Sequence, residues 1–205
     1  AGIELELTPI GREAFVFFVS RRNPVSGLTQ AQVRQIYSGQ VTDWKDVGGP
    51  RRQIDAYQRN PDSGSQTAFE DVMAGVEIMD PPSWQTFTGM DLMAYRVLDY
   101  KNSPGAIGFS FRYYLDSMIR SDEIKLLAID GVAPTLANTA SGEYPFARDF
   151  YAVTARARDQ LPDADGSAGF DRSARAENAA RLIDWIASAQ GQELVRKVGY
   201  SPLAG

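Results

Sequence analysis

The chain has 205 residues, 43% hydrophobic and 23% charged, with a net charge of −5, a size that buries a real core as one large domain or two small ones. It contains neither histidine nor cysteine, which excludes a Ser-His-Asp triad, imidazole or thiolate metal ligation, a cysteine nucleophile and any disulfide. A pI near 4.8 argues against a general nucleic-acid binder, which presents a basic face, and no apolar run approaches the roughly 18 residues that span a bilayer.

The chain opens Ala1-Gly2-Ile3-Glu4, without Met, a basic region or an apolar signal segment, so it reads as processed or trimmed, with a removed targeting segment left open. Residues 3–7 alternate apolar and acidic, the period of a half-buried strand, which Pro9 is expected to end. The run at 14–19 is apolar throughout and predicts a strand covered on both faces. Thr29 and Gln32 have capping-box spacing, with Leu28 and Val33 placed as a hydrophobic staple. They predict a helix whose stripe is Val33, Ile36 and Tyr37 and whose stop is Gly39.

A short strand is expected over 54–58, then a helix from Ser63 that buries Phe69, Val72 and Met73. Thr88 is expected to cap a helix carrying Met93, Ala94, Val97 and Leu98 to about Asn102. A strand over 106–109, a helix over 113–119, and strands over 125–129 and 150–153 follow. Residues 159–169 read as a linker, and the tail carries two helices, the first with Leu182, Ile183, Trp185 and Ile186 on its face. Alternating strands and helices predict an α/β fold.

The stretch richest in chemistry is Arg59-Asn60-Pro61-Asp62-Ser63-Gly64-Ser65-Gln66-Thr67, between a strand and an amphipathic helix. The first four amides of a helix lack intrahelical partners and carry the positive end of its dipole. Gly64 admits a ligand close to the backbone, Ser63 and Ser65 add hydroxyl donors, and Arg59 supplies a permanently charged fork for an oxyanion. Ser63 and Gln66 also have capping-box spacing, so the same residues serve equally to start the helix. The Gly-Lys-Ser/Thr core of a P-loop is absent.

Other candidates read as structural. Arg12 suits a surface charge better than a cleft residue. The aromatic stretch 109–114 suits a core edge in an acidic protein, and Asp159, Asp163 and Asp165 lack the loop length and closing Glu of an EF-hand. Neither a catalytic residue, a metal site nor a cofactor is expected.

Taken together, Pro9-Ile10-Gly11-Arg12-Glu13-Ala14-Phe15 and onward to Val19, Asn23-Pro24-Val25, the segments 28–39, 44–49, 59–67 and 104–109, and the tail around Trp185, 190–195 and Gly199-Tyr200 resemble the phosphate-binding subunits of phosphate ABC transporters. The resemblance implies a type II periplasmic-binding-protein-like α/β fold, with phosphate held between two lobes by an Arg and a Ser-Gly-Thr run. Arg59, Ser63 and Gly64 match that pattern; Ser65 stands in place of the threonine and keeps its hydroxyl. Asn60-Pro61-Asp62 departs from the family's Ser-Asp-Gly spacer, which puts the support of Arg59 in question.

The resemblance further implies a complete second lobe over 20–145 and an incomplete first lobe from 1–19 (with a hinge strand) and 146–205 (return hinge strand and C-terminal helices). The N-terminal βα segment of lobe one, with its proton-accepting acid, is expected to be missing. Exposed apolar surface at the 14–19 strand and around Trp185, with self-association or a companion fragment, is the expected consequence. The implied role is a non-enzymatic, periplasmic or otherwise extracytoplasmic solute-binding protein for inorganic phosphate or a similar oxyanion, acting with a membrane permease and not with nucleic acid. The alternative is a ligand-sensing or adhesive module on the same fold, favoured if Arg59 points to solvent or pairs with a carboxylate.

Overall fold

A computed structural model describes residues 4–82, 85–98, 104–156 and 172–203. The first half holds β1 (Glu4–Ser20), β2 (Gly27–Leu28), α1 (Gln30–Tyr37), a 3-10 turn at Trp44–Val47, β3 (Asp55–Ala56), β4 (Gln58–Arg59) and α2 (Gly64–Met73). The second holds β5 (Thr86–Phe87), α3 (Met90–Leu98), β6 (Ala106–Phe111), α4 (Arg112–Tyr114) running into a π-turn at Leu115–Ile119, β7 (Ile124–Leu126), β8 (Ala128–Ile129), α5 (Leu136–Ser141), β9 (Ala147–Arg156), α6 (Arg172–Ala187) and α7 (Ala189–Lys197).

Pro9 does not end the first strand: β1 is continuous from Glu4 to Ser20. Its partners β6 and β7 meet it only from Phe15 and Phe18 onward, so the proline lies outside the doubly flanked part, where a missing N–H is tolerated. The main sheet has the order β3-β6-β1-β7, and β9 also pairs with β1. β6 and β7 are antiparallel to β1 and β3 is parallel to β6.

Two expected strands divide. Residues 54–58 split into β3 in the main sheet and β4 beside β5, and residues 125–129 split into β7 in the main sheet and β8 beside β2. α1 starts on the expected Thr29–Gln32 capping box and buries Val33, Ile36 and Tyr37. α3 spans Met90–Leu98; the expected extension to Asn102, the 159–169 linker and its three aspartates lie outside the described residues.

The chain divides into a central unit, Glu13–Arg148, and a terminal unit, Ala1–Arg12 with Asp149–Gly205. The polypeptide passes between them at 12/13 in β1 and 148/149 in β9, where the expected divisions fell after 19 and 145. The buried apolar cluster of the described residues runs from Ala14 to Phe146, wholly in the central unit. At its middle Phe69 stacks on Phe109, centroids 4.5 Å apart, with Tyr37 edge-on to Phe69 at 4.6 Å, a geometry that adds to plain burial. Ala14, Phe15, Val16, Phe17, Phe18 and Val19 are fully buried here. The expectation of exposed apolar surface on this strand is therefore corrected, because β6, β7 and the central helices cover it.

In the terminal unit α6 and α7 meet at a tight corner where a Cβ on Gly191 would lie 2.2 Å from the Trp185 carbonyl oxygen. Gln192 ties α7 to β1 through a bond from Nε2 to the Ile10 carbonyl at 3.0 Å. Leu5, Leu7, Tyr151, Val153, Leu182 and Trp185 are all exposed in this unit, so the apolar surface expected around Trp185 is present.

Candidate anion site

The site is built where β4 runs out into α2. β4 lies parallel to β5 with Arg59 opposite Phe87. The connecting turn is closed by Asn60 N–H to the Phe87 carbonyl and Ser63 N–H to the Asn60 carbonyl, each at 3.1 Å. Gln66, buried in the first turn of α2, accepts the Arg59 N–H on Oε1 at 3.1 Å and reaches Gln58 with Nε2 at 3.4 Å. The strand end and the helix start are thereby held at a fixed separation.

Ser63 is the N-cap, and its Oγ accepts the Gln66 N–H at 3.1 Å. The reciprocal half of a capping box is not made, because the Gln66 side chain is committed to β4 and the Ser63 N–H to Asn60. Capping and an open helix terminus therefore coexist: among the described residues the amides of Gly64 and Ser65 have no hydrogen-bond partner, as expected for the first positions of a helix. A Cβ on Gly64 would meet nothing within 4 Å and its φ is ordinary, so neither packing nor backbone strain calls for glycine there; its consequence is bare backbone facing open space.

Arg59 points neither to open solvent nor to a carboxylate. Nε donates to the Phe87 carbonyl at 3.1 Å, Nη2 to the Thr88 carbonyl at 3.0 Å and Nη1 to Ser65 Oγ at 3.1 Å. It makes no ion pair among the described residues, and a guanidinium has five N–H groups, so donor capacity and a whole positive charge remain. Burial pushes the Arg59 pKa down, opposed by the Asp91 carboxylate and the Tyr114 phenol. The guanidinium stays charged nonetheless, and a partly desolvated cation beside two open amides favours an anionic guest.

All four residues singled out in the sequence, Arg59, Ser63, Gly64 and Ser65, fall in this one constellation, and Arg59 touches Ser65 directly. Arg12 lies elsewhere, its Nε 2.6 Å from Asp149 Oδ1, and serves structure. Phe109 in the aromatic stretch is buried core. Sequence reasoning missed Gln66 as the tie between β4 and α2, the carbonyls of Phe87 and Thr88 that orient the guanidinium, and Asp91 with Tyr114, which lie 32 and 55 positions beyond Arg59 and carry no local spacing signal. No group of three His, Cys, Asp or Glu suited to a metal exists among the described residues.

Two α/β units joined by two strands, with the Arg59 guanidinium at the start of α2, define a type II periplasmic-binding-protein-like fold. The chain belongs to the PBP superfamily domain family, which matches residues 2–190. It is similar to the phosphate-binding protein PstS of Bacillus subtilis, 29% identical over 148 residues that cover 70% of this chain and 46% of that protein. PstS of Borreliella burgdorferi is 23% identical over 197 residues, 94% of this chain and 64% of that one. The chain thus spans from about half to under two thirds of these relatives' length. Among solved structures, a phosphate ABC transporter substrate-binding protein from Clostridium perfringens with bound phosphate is 25% identical, with a TM-score of 0.72 over 98% of this chain and 72% of that one. An ABC-type phosphate transport receptor from Vibrio cholerae, at 24% identity and a TM-score of 0.70, shares the fold over 100% of this chain and 75% of its own.

Proposed function

We propose that this chain binds inorganic phosphate, or an oxyanion of like shape, at the start of α2, as the extracytoplasmic solute-binding protein of an ABC importer that hands its cargo to a membrane permease. The observation that carries the reading is the half-buried Arg59 guanidinium, which makes no ion pair with a carboxylate among the described residues and is bonded to Ser65 beside the open amides of Gly64 and Ser65. Arg59 gives charge-assisted contacts, Ser63 and Ser65 offer hydroxyls, and the two amides complete the cradle. Groups arranged as convergent donors hold an anion; they supply no base to turn it over. The phosphate-binding names of the relatives support the same reading, and no helix among the described residues is long and apolar enough to cross a membrane.

The test is a phosphate titration by calorimetry or phosphorus NMR on the wild type and on Arg59→Ala. Loss of the guanidinium removes the charge-assisted bonds and is expected to weaken binding at least about tenfold. Equal affinity of the two proteins overturns the assignment.

A further inference from the structure

We propose that Gln58 is a positioning residue of the anion site: by orienting the Gln66 amide it fixes where β4 presents the Arg59 guanidinium to the start of α2. The inference rests on the anion-site reading above and deepens it by one step, behind the residues of the cradle.

Gln58 and Gln66 are buried, 4% and 5% exposed, so their amides must find protein partners. They form one row of hydrogen bonds. Met79 is anchored by its N–H to the carbonyl of Tyr37, the last residue of α1, at 2.9 Å. The Met79 carbonyl accepts Gln58 Nε2 at 2.9 Å, Gln58 Oε1 accepts Gln66 Nε2 at 3.4 Å, and Gln66 Oε1 accepts the Arg59 N–H at 3.1 Å. Neither glutamine leaves a buried side-chain atom unpartnered.

The ends of the row are backbone groups, a carbonyl that only accepts and an N–H that only donates. They dictate which way both amides point. Turning Gln66 over alone sets N–H against N–H at Arg59 and oxygen against oxygen at Gln58. Turning both glutamines over restores the middle bond and loses the two at the ends. Without Gln58, reversal of Gln66 forfeits the Arg59 bond alone, so Gln58 is what makes the productive orientation secure.

That orientation matters because the guanidinium bridges two elements. Its Nε and Nη2 are tied to the carbonyls of Phe87 and Thr88 beside β4, while Nη1 reaches Ser65 on α2 at 3.1 Å. A shift between β4 and α2 breaks one set of bonds or the other and turns the fork away from the Gly64 and Ser65 amides. Holding donors ready before the anion arrives spares their ordering at the moment of binding.

Gln58→Glu turns the row into a switch. The protonated acid keeps the shape, donates to Met79 and accepts from Gln66; the ionised one sets a bare oxygen against the Met79 carbonyl and withdraws, drawing Gln66 off the Arg59 N–H. The Gln66 amide, the Met79 carbonyl and Thr86 across the strand pair are neutral. The Arg59 guanidinium is engaged at Phe87, Thr88 and Ser65, and exposed Asp80 beside Met79 adds a like charge. Burial therefore raises the pKa of the introduced acid.

Inorganic phosphate is titrated into wild type, Gln58→Glu and Gln58→Met from pH 5 to pH 9, with folding checked at each pH. Dividing each variant's affinity by that of wild type at the same pH cancels the protonation of phosphate itself. Amide NMR follows the Arg59 N–H, whose shift reports the bond to Gln66. The expected ratio for Gln58→Glu is near one at low pH and falls about fivefold as the acid ionises, the size of one lost hydrogen bond, with the Arg59 amide moving at the same midpoint. Gln58→Met is expected to bind about fivefold more weakly at every pH, and it decides the matter if Gln58→Glu unfolds on ionising. A ratio for folded Gln58→Glu that does not change with pH, or wild-type affinity in Gln58→Met, overturns the inference. If Arg59→Ala loses phosphate while both Gln58 variants bind normally, Gln58 alone is wrongly assigned; if Arg59→Ala binds like wild type, the anion site itself falls and Gln58 with it.

Discussion

Glu13 stands where β1 enters the central unit, and its carboxyl is held unevenly. Oε1 accepts the N–H groups of Ala14 and Tyr113 at 2.9 and 3.4 Å, while Oε2 is buried without a hydrogen-bond partner among the described residues. Arg112 offers limited relief, since its Nη2 is 2.6 Å from Asp116. Burial outweighs the two amides and Arg112, and the Glu13 pKa is pushed up from 4.5 to about 7. A folded value above the unfolded one means that the native state keeps a proton the unfolded chain releases. The contribution to stability is thus full below pH 4.5, is lost as pH rises toward 7, and stays lost above. At about 1.4 kcal/mol per pKa unit the whole window is worth about 3 kcal/mol. Glu13→Gln retains an acceptor for both amides and removes the titration. Chemical denaturation across this window should therefore find it markedly more stable than wild type at pH 8 and close to wild type at pH 4.5. Parallel stability profiles for the two proteins refute the buried-acid account.

The elements that were legible in the sequence are those whose signals are local. The Thr29–Gln32 box starts α1, Ser63 starts α2, and Gly39 follows the end of α1 with φ +77. The grouping of the proposed cradle was legible for the same reason, because Arg59, Ser63, Gly64 and Ser65 lie within seven consecutive positions. What sequence could not yield was partnership. Residues 125–129 read as one strand, with 126–129 apolar throughout, yet Leu126 pairs with Phe18 and Ile129 with Leu28 in a different sheet, and strand periodicity says nothing about which neighbour is chosen. Gln66 illustrates the same limit: its spacing from Ser63 marks a capping box, whereas its side chain bonds the Arg59 backbone. That bond makes α2 and β4 one object, so Gln66→Leu should leave the Arg59 N–H unsatisfied and cost about 1–3 kcal/mol. It should also weaken phosphate binding, since the guanidinium is carried on the released strand. Thermal melts and the phosphate titration measure both effects; a Gln66→Leu protein with wild-type stability and affinity denies the residue this tie.

At the scale of the molecule the two units differ in how they are held together. Every member of the buried apolar cluster among the described residues, from Ala14 to Phe146, belongs to the central unit. The terminal unit relies on backbone and polar ties, such as Arg12 with Ser201 at 2.8 and 3.0 Å and Arg12 with Asp149, while Leu5, Leu7, Tyr151, Val153 and Leu182 are each about half exposed. Apolar burial stabilises by roughly 25 cal/mol per Å², whereas a partly exposed ion pair contributes under about 1 kcal/mol. Opening the terminal unit therefore exposes little that is not already wet, and regions poor in buried apolar contacts open below the global free energy. Native-state hydrogen exchange should show the amides of α6, α7 and the part of β9 beyond Arg148 exchanging through openings of lower free energy than those of β6 and the Phe15–Val19 stretch of β1. Mild denaturant should merge the central amides into one global opening before it affects the ranking of the terminal ones. Protection in α6 equal to that in β6 would mean that the terminal unit draws its stability from the central core, and the division of labour between the units would have to be abandoned.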